Sequence, residues 1–238
     1  MTHTRMTRSQ FHHNDLTLSY LDTGGEGQTL IALHALWMEA ATYTLLASAL
    51  SPEWRIIAMD QRGHGYSDHA LSYTRKDYIG DVAALVEHLE VDKVVLLGNS
   101  LGGVNAYQFA AWHPERVKAV VIEDIGAHPD ADASFVLVWE GIFPSREALE
   151  ERIGQRLAPY LLDSFRSIQT AGGLRSNLVR CLNHSFNSMV TTGPTGSRLD
   201  ARLFWSGVRR AGLRRKTTSS KWQRDGPILV SLRLTAGT

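Results

Sequence analysis

Val94-Val95-Leu96-Leu97-Gly98-Asn99-Ser100-Leu101-Gly102-Gly103 is the stretch on which the reading of this chain turns. An apolar, β-branched run leads into G-x-S-x-G, and a helix-like segment follows. That order predicts a nucleophile elbow, in which a strand ends in a tight turn that lifts the Ser100 hydroxyl above the sheet edge. Gly98 and Gly102 remove the side chains that would block so sharp a turn and the close approach of helix to strand. With Gly near 7% of residues, the bare motif arises by chance in roughly one chain in ten of this length. The strand before it and the helix after it therefore carry the weight.

Strand and helix patterns alternate on either side. Leu16-Thr17-Leu18-Ser19-Tyr20-Leu21 alternates as an edge strand should, and Asp22-Thr23-Gly24-Gly25 closes it with turn chemistry. Leu30-Ile31-Ala32-Leu33 and Ile56-Ile57-Ala58-Met59 are short apolar runs, the pattern of strands buried on both faces of a parallel sheet. Thr74-Arg75-Lys76-Asp77 reads as a helix start, and Ile79, Val82, Ala83, Val86 and Leu89 recur at helical spacing. Residues 117–122 supply another buried strand, and the helix before it stops short of Pro114. The succession predicts an α/β fold with a mostly parallel sheet and right-handed crossovers.

Composition narrows the function. The apolar fraction is an ordinary 43% and the formal net charge is +1, so no global field favours nucleic acid or an anionic membrane. Cys181 is the only cysteine, which excludes an internal disulfide and a thiolate metal cluster. The first residues, M-T-H-T-R-M-T-R, lack the apolar core of a secretory signal, and no apolar run is long enough to span a bilayer. The expectation is a cytoplasmic protein with no cofactor and no metal.

Loops after the strands carry chemistry at the carboxyl ends of a parallel sheet. His34-Ala35-Leu36-Trp37 follows one strand, and Asp60-Gln61-Arg62-Gly63-His64-Gly65-Tyr66-Ser67-Asp68 follows another. With the Ser100 elbow, these loops resemble the α/β-hydrolase family, whose members carry an H-G-x loop and a D-x-R-G-x-G-x-S loop there. The resemblance covers about residues 16–126. One departure is Ala35, which stands where the family has Gly and would narrow the oxyanion loop.

The resemblance implies roles. Ser100 is the nucleophile, and the backbone N–H groups of Leu36 and Leu101 form the oxyanion hole, each such donor being worth about 3 kcal/mol. His34 and His64 buttress loops, and Arg62 and Asp60 form a loop-holding pair. In the family's chain order the acid follows the serine and the histidine base comes last. Asp124, after the strand at 117–122, is the expected acid, with Glu123 as the alternative. No base is evident: His113 and His128 come too early, His184 lies in a segment that resembles nothing, and the closing G-H is absent.

These patterns divide the chain into an α/β-hydrolase core at 14–130, the start of a helical cap at 131–166, and a tail at 167–238 without family resemblance. The tail has Arg and Thr clusters such as Arg214-Arg215-Lys216-Thr217-Thr218, and its hydrophobic periodicity fades, although Ile228-Leu229-Val230 reads as a strand. A basic interaction tail or a divergent cap would account for it; so would a frameshift. Back-translated with a free choice of synonymous codons and read two nucleotides out of phase, the tail allows a continuous frame. That frame contains a P-A-L-L-V-R-G strand and a closing G-G-H. The strand runs into G-A-A-S, with no Asp at the commoner acid position, which favours Asp124. The written chain is thus expected to lack the end of the fold, to expose the sheet edge beside residues 117–122, and to be poorly soluble with little activity.

The activity expected of the intact parent is serine hydrolysis of small ester or lactone substrates. A serine at the elbow argues against the dehalogenase and epoxide-hydrolase branches, which place Asp there. It leaves C–C bond hydrolysis and cofactor-free haloperoxidase activity open. A non-catalytic binder or an inactive product are the readings from other classes. The expected partner is a small acyl molecule, not nucleic acid or a membrane, and nothing in the sequence indicates an oligomeric state.

Overall fold

Side chains alternate across a strand, so strands buried on both faces feed two apolar layers. The computed structural model describes residues 5–123, 142–155, 158–161, 164–167, 179–181 and 228–232. The chain runs β1 (Thr7–His13), β2 (Leu16–Asp22), β3 (Gln28–Leu33), α1 (Thr44–Leu50), β4 (Trp54–Asp60), α2 (Arg75–His88), β5 (Val94–Asn99), α3 (Leu101–Trp112) and β6 (Val117–Glu123). Beyond these lie β7 (Ile142–Phe143), α4 (Arg146–Ile153), α5 (Ala158–Leu161), β8 (Phe165–Ser167), β9 (Val179–Cys181) and β10 (Ile228–Leu232).

The main sheet has the order β1-β2-β4-β3-β5-β6-β10. It is parallel from β4 through β10, and β1 and β2 pair antiparallel at one side. This is the expected α/β architecture with helices on both faces. Ile31 and Leu33 of β3 join Ile79, Val82 and Leu85 of α2 and Val104 and Phe109 of α3 in one layer. Leu30 and Ala32 face the other way and pack with Tyr43 and Ala47. Each large side chain so buried contributes about 1.5–3 kcal/mol. The helix start read at Thr74 is a capping box: the Thr74 hydroxyl accepts from the Asp77 N–H, and the Asp77 carboxylate accepts from the Thr74 N–H.

Two sequence expectations change. The segment read as an edge strand, β2, lies inside the sheet, because β1 pairs along its outer side from Thr7↔Asp22 to His13↔Leu16. β1 escapes a hydrophobicity reading because its sequence T-R-S-Q-F-H-H buries only Phe11. Likewise, the edge beside β6 is not open. β10 pairs with it in parallel from Ile228↔Ala119 to Leu232↔Glu123, so the Ile228-Leu229-Val230 strand lies where an exposed edge was expected. Outside the main sheet, β7, β9 and β8 form a three-stranded sheet within and just beyond the expected cap segment. The remainder of residues 124–141 and of the tail lies outside the described residues.

Candidate active site

Ser100 connects β5 to α3 with φ 48° and ψ −112°, a backbone that an L residue holds only when its surroundings enforce it. The glycines on either side are what make it feasible. A Cβ on Gly98 would sit 2.3 Å from the Gly102 carbonyl oxygen, and one on Gly102 would sit 2.0 Å from the Leu33 carbonyl oxygen. Strand, turn and helix therefore touch through bare backbone. The Ser100 N–H donates to the Glu123 carbonyl at 3.0 Å, and the Gly102 N–H donates to the His34 carbonyl at 3.2 Å. The elbow is thus tied to the ends of β6 and β3.

Leu101 is the first residue of α3, where a helix gives its N–H no internal partner. Leu36 lies in the loop after β3, whose peptide groups are fixed by His34. The His34 Nδ1–H donates to the Ala35 carbonyl at 2.7 Å, and its Nε2 accepts from the Gln61 N–H at 3.1 Å. The Met38 N–H also donates to the Ala35 carbonyl, at 3.1 Å. That carbonyl belongs to the same peptide unit as the Leu36 N–H, so the bonds orient the unit and strengthen its donor end. Ala35 is buried without a positive φ, and the methyl that departs from the family pattern is accommodated. Trp37 does adopt a positive φ of 65°, and the Ser164 hydroxyl holds its carbonyl at 2.7 Å. Leu36, Trp37 and Met38 pack against Leu149, Ile153, Leu161 and Phe165, which joins this loop to α4, α5 and β8.

His34 and His64 are both inside the protein, with ring centroids 5.0 Å apart. Burial pulls the His34 pKa down to about 4 and that of His64 to about 3, so both rings are neutral near pH 7. With both His34 nitrogens engaged and His64 Nδ1 bonded to the Arg62 carbonyl at 2.9 Å, they hold loops. His113 caps the far end of α3, about 20 Å along the helix from Ser100. Its ring packs tilted against Phe109, with centroids 4.8 Å apart. Among the described residues no histidine hydrogen-bonds Ser100, and His128 and His184 lie outside them.

The expected Arg62–Asp60 pair is corrected. Arg62 grips Asp81 through two bonds of 2.6 and 2.7 Å, reaching from the loop to α2. Asp60 pairs with Arg8 of β1 and accepts the Ala40 N–H at 2.7 Å and the Tyr66 N–H at 3.2 Å. Both residues hold loops, but not to each other. Sequence patterning had no means of finding Arg8, because its strand carries almost no apolar signal.

Asp124 lies outside the described residues, directly after Glu123, whose carbonyl is bonded to Ser100. Glu123 itself is half-buried at the end of β6. Burial raises the pKa of the Tyr43 phenol, and the nearby Glu123 charge raises it further. Tyr43 donates to the Leu33 carbonyl at 2.9 Å, bracing the ends of the central strands from the other face. Neither Tyr43 nor Ser164 carried a motif in the sequence.

A model described as the alpha/beta hydrolase fold matches residues 28–230. The chain belongs to the α/β-hydrolase family. A 2-(acetamidomethylene)succinate hydrolase of Mesorhizobium japonicum is 30% identical over 183 residues, covering 65% of this chain and 66% of that one. An sn-1-specific diacylglycerol lipase of Danio rerio is 27% identical over 207 residues, covering 76% and 65%. The chain spans about 60–66% of the length of these and of a further curated relative, named as an esterase/lipase, of Haemophilus influenzae. A solved α/β-hydrolase of Novosphingobium aromaticivorans superposes with a TM-score of 0.70 at 20% identity, over 96% of this chain and 90% of its own, a likeness of fold. Among the described residues, no helix is long and apolar enough to cross a membrane, and no cluster of His, Cys, Asp and Glu could hold a metal ion.

Proposed function

We propose that the chain derives from a serine hydrolase of small ester or lactone substrates that works through an acyl-enzyme. Ser100 Oγ attacks the acyl carbon, and its proton passes to a histidine base. The oxyanion that forms is held by the N–H groups of Leu36 and Leu101. Asp124 orients the base and stabilises its cation, which hands the proton to the departing alkoxide as the ester bond breaks to leave the acyl-enzyme. Water deprotonated by the same base then releases the acid and restores Ser100. The observation that carries this reading is the strained backbone of Ser100 at the first turn of α3, between glycines whose replacement would drive a Cβ into backbone. Such strain persists where the surrounding structure enforces it, and it concentrates at reacting groups.

The base belongs to the other reading frame, whose closing G-G-H stands in the family's position. Without it Ser100 is a weak nucleophile, and the residual rate comes from the oxyanion hole and substrate binding. Hydrolysis of p-nitrophenyl acetate tests both parts. The written chain is expected to show little turnover, and a chain carrying the alternative frame from Ser167 ordinary esterase rates. Ser100→Ala in that second chain should lower its rate by at least about 10³-fold. Ordinary rates from the written chain would refute the missing base. An unaffected Ser100→Ala variant would refute the nucleophile.

A further inference from the structure

The hole proposed above draws one donor from the loop after β3 and the other from α3, so its width depends on what ties those elements together. One tie is direct, from the Gly102 N–H to the His34 carbonyl. A second tie is a chain of side chains. The Arg75 guanidinium at the start of α2 donates to Asn105 Oδ1, and Asn105 Nδ2 donates to Gln61 Oε1 at 2.5 Å. Gln61 Nε2 then donates to the His34 carbonyl at 2.7 Å. Asn105 sits on α3 with Leu101, and His34 sits two residues before Leu36.

Chemistry fixes the direction of this chain at both ends. Arg can only donate and a carbonyl can only accept. Asn105 must therefore turn its oxygen to Arg75 and its nitrogen to Gln61, and Gln61 must turn its nitrogen to His34. Neither amide can flip without setting donor against donor or acceptor against acceptor. Gln61 is 1% exposed, and Asn105 and His34 are 0% exposed, so a mismatch would leave buried polar atoms unsatisfied. The bonds point the same way and begin at a cation, so each polarises the next. Among the described residues, Arg75 forms no ion pair with a carboxylate within 4.0 Å.

We propose that Arg75, Asn105 and Gln61 are positioning residues, a directional relay that sets the spacing of the Leu36 and Leu101 N–H groups by gripping the His34 carbonyl from α3. This rests on the reading of those two N–H groups as the oxyanion hole. None of the three touches substrate.

Hydrogen–deuterium exchange of the full chain, read by mass spectrometry, tests the relay without activity. Arg75→Met is expected to raise exchange in residues 34–38 and 101–105 by about tenfold. Arg75→Lys, which keeps a donor-only cation, should restore protection to within about twofold. Lys76→Met, the exposed neighbour, should change neither segment. Asn105→Asp keeps an acceptor for Arg75 but presents a second acceptor to Gln61. It should loosen residues 34–38 even where Arg75→Met disturbs α2. Unchanged exchange in Arg75→Met and Asn105→Asp, or an equal rise in Arg75→Lys, would overturn the relay. Fluorophosphonate reaction at Ser100 of a chain carrying the alternative frame from Ser167 is a separate arm: failure of that chain to react speaks against the nucleophile, while the exchange result still decides the relay.

Discussion

Gly102→Ala probes the elbow where its geometry is tightest. The new Cβ would lie 2.0 Å from the Leu33 carbonyl oxygen, 2.4 Å from its carbon and 2.8 Å from the Leu33 Cβ. Contact at ordinary van der Waals distance requires a shift of more than about 1 Å. The obstacle is backbone on both sides, pinned by the bond from Gly102 N–H to the His34 carbonyl, so no side chain can rotate away. Overpacking of a core costs about 1–3 kcal/mol, and a clash that must move a helix against a strand belongs at the top of that range, about 3 kcal/mol. Domains are stable by only about 5–15 kcal/mol in all. Gly154→Ala is the matched control: its φ is +93°, but nothing lies within 4 Å of the added carbon. Its cost is limited to the strain of a glycine-favouring backbone, φ 93° with ψ 145°, about 1–3 kcal/mol with no clash added to it. Urea unfolding followed by far-UV circular dichroism compares the two. A Gly102→Ala loss no larger than that of Gly154→Ala would refute the close-approach argument.

Asp81→Asn removes the carboxylate that Arg62 grips through two bonds; Arg62 keeps the Asp77 carboxylate at 3.8 Å and its bonds to the Ser72 and Asp77 carbonyls, so the expected loss is about 3 kcal/mol, at the lower end for a broken buried pair. A urea midpoint within error of the unsubstituted chain would contradict this. His34 and His64 have folded pKa values lowered to about 4 and about 3, so acid protonates the unfolded chain first. Their stabilising contribution is full above pH 6.5 and is lost as pH falls towards those values, about 2 kcal/mol for each histidine by pH 5. His64→Gln should remove its share of that slope, and an unchanged difference between pH 7.5 and pH 5 stabilities would argue against a buried neutral ring. Ser164→Ala removes the bond to the Trp37 carbonyl and should cost about 1 kcal/mol. It should also speed exchange in residues 36–38, and unchanged exchange there would show that the bond does not hold the loop.

The parts of the fold that could be read in the sequence are those encoded by apolar periodicity or by glycine. Leu30 to Leu33 and Ile56 to Met59 are continuous apolar runs because each strand is covered on both faces, and they appear as β3 and β4. The elbow could be read because two close backbone approaches demand glycine at fixed spacing. Hydrogen-bond partnership leaves no such trace. That Asp60 would choose Arg8, Arg62 choose Asp81, and Gln61 and Asn105 meet follows from strand order, with β4 lying between β2 and β3. Spacing along the chain does not encode that order. β1 was missed because a strand that buries one phenylalanine has no pattern to see. β10 shows the converse: a short apolar run in a segment without periodicity still pairs along β6.

Whether Ser100 is a nucleophile whose base lies in another reading frame can be decided by intact mass after exposure to a fluorophosphonate. A chain carrying the alternative frame from Ser167 should gain one phosphonyl group, lost in its Ser100→Ala variant. The written chain should react at least about 10³-fold more slowly. Equally fast labelling of the written chain at Ser100, or labelling of the other chain that survives Ser100→Ala, would contradict the account.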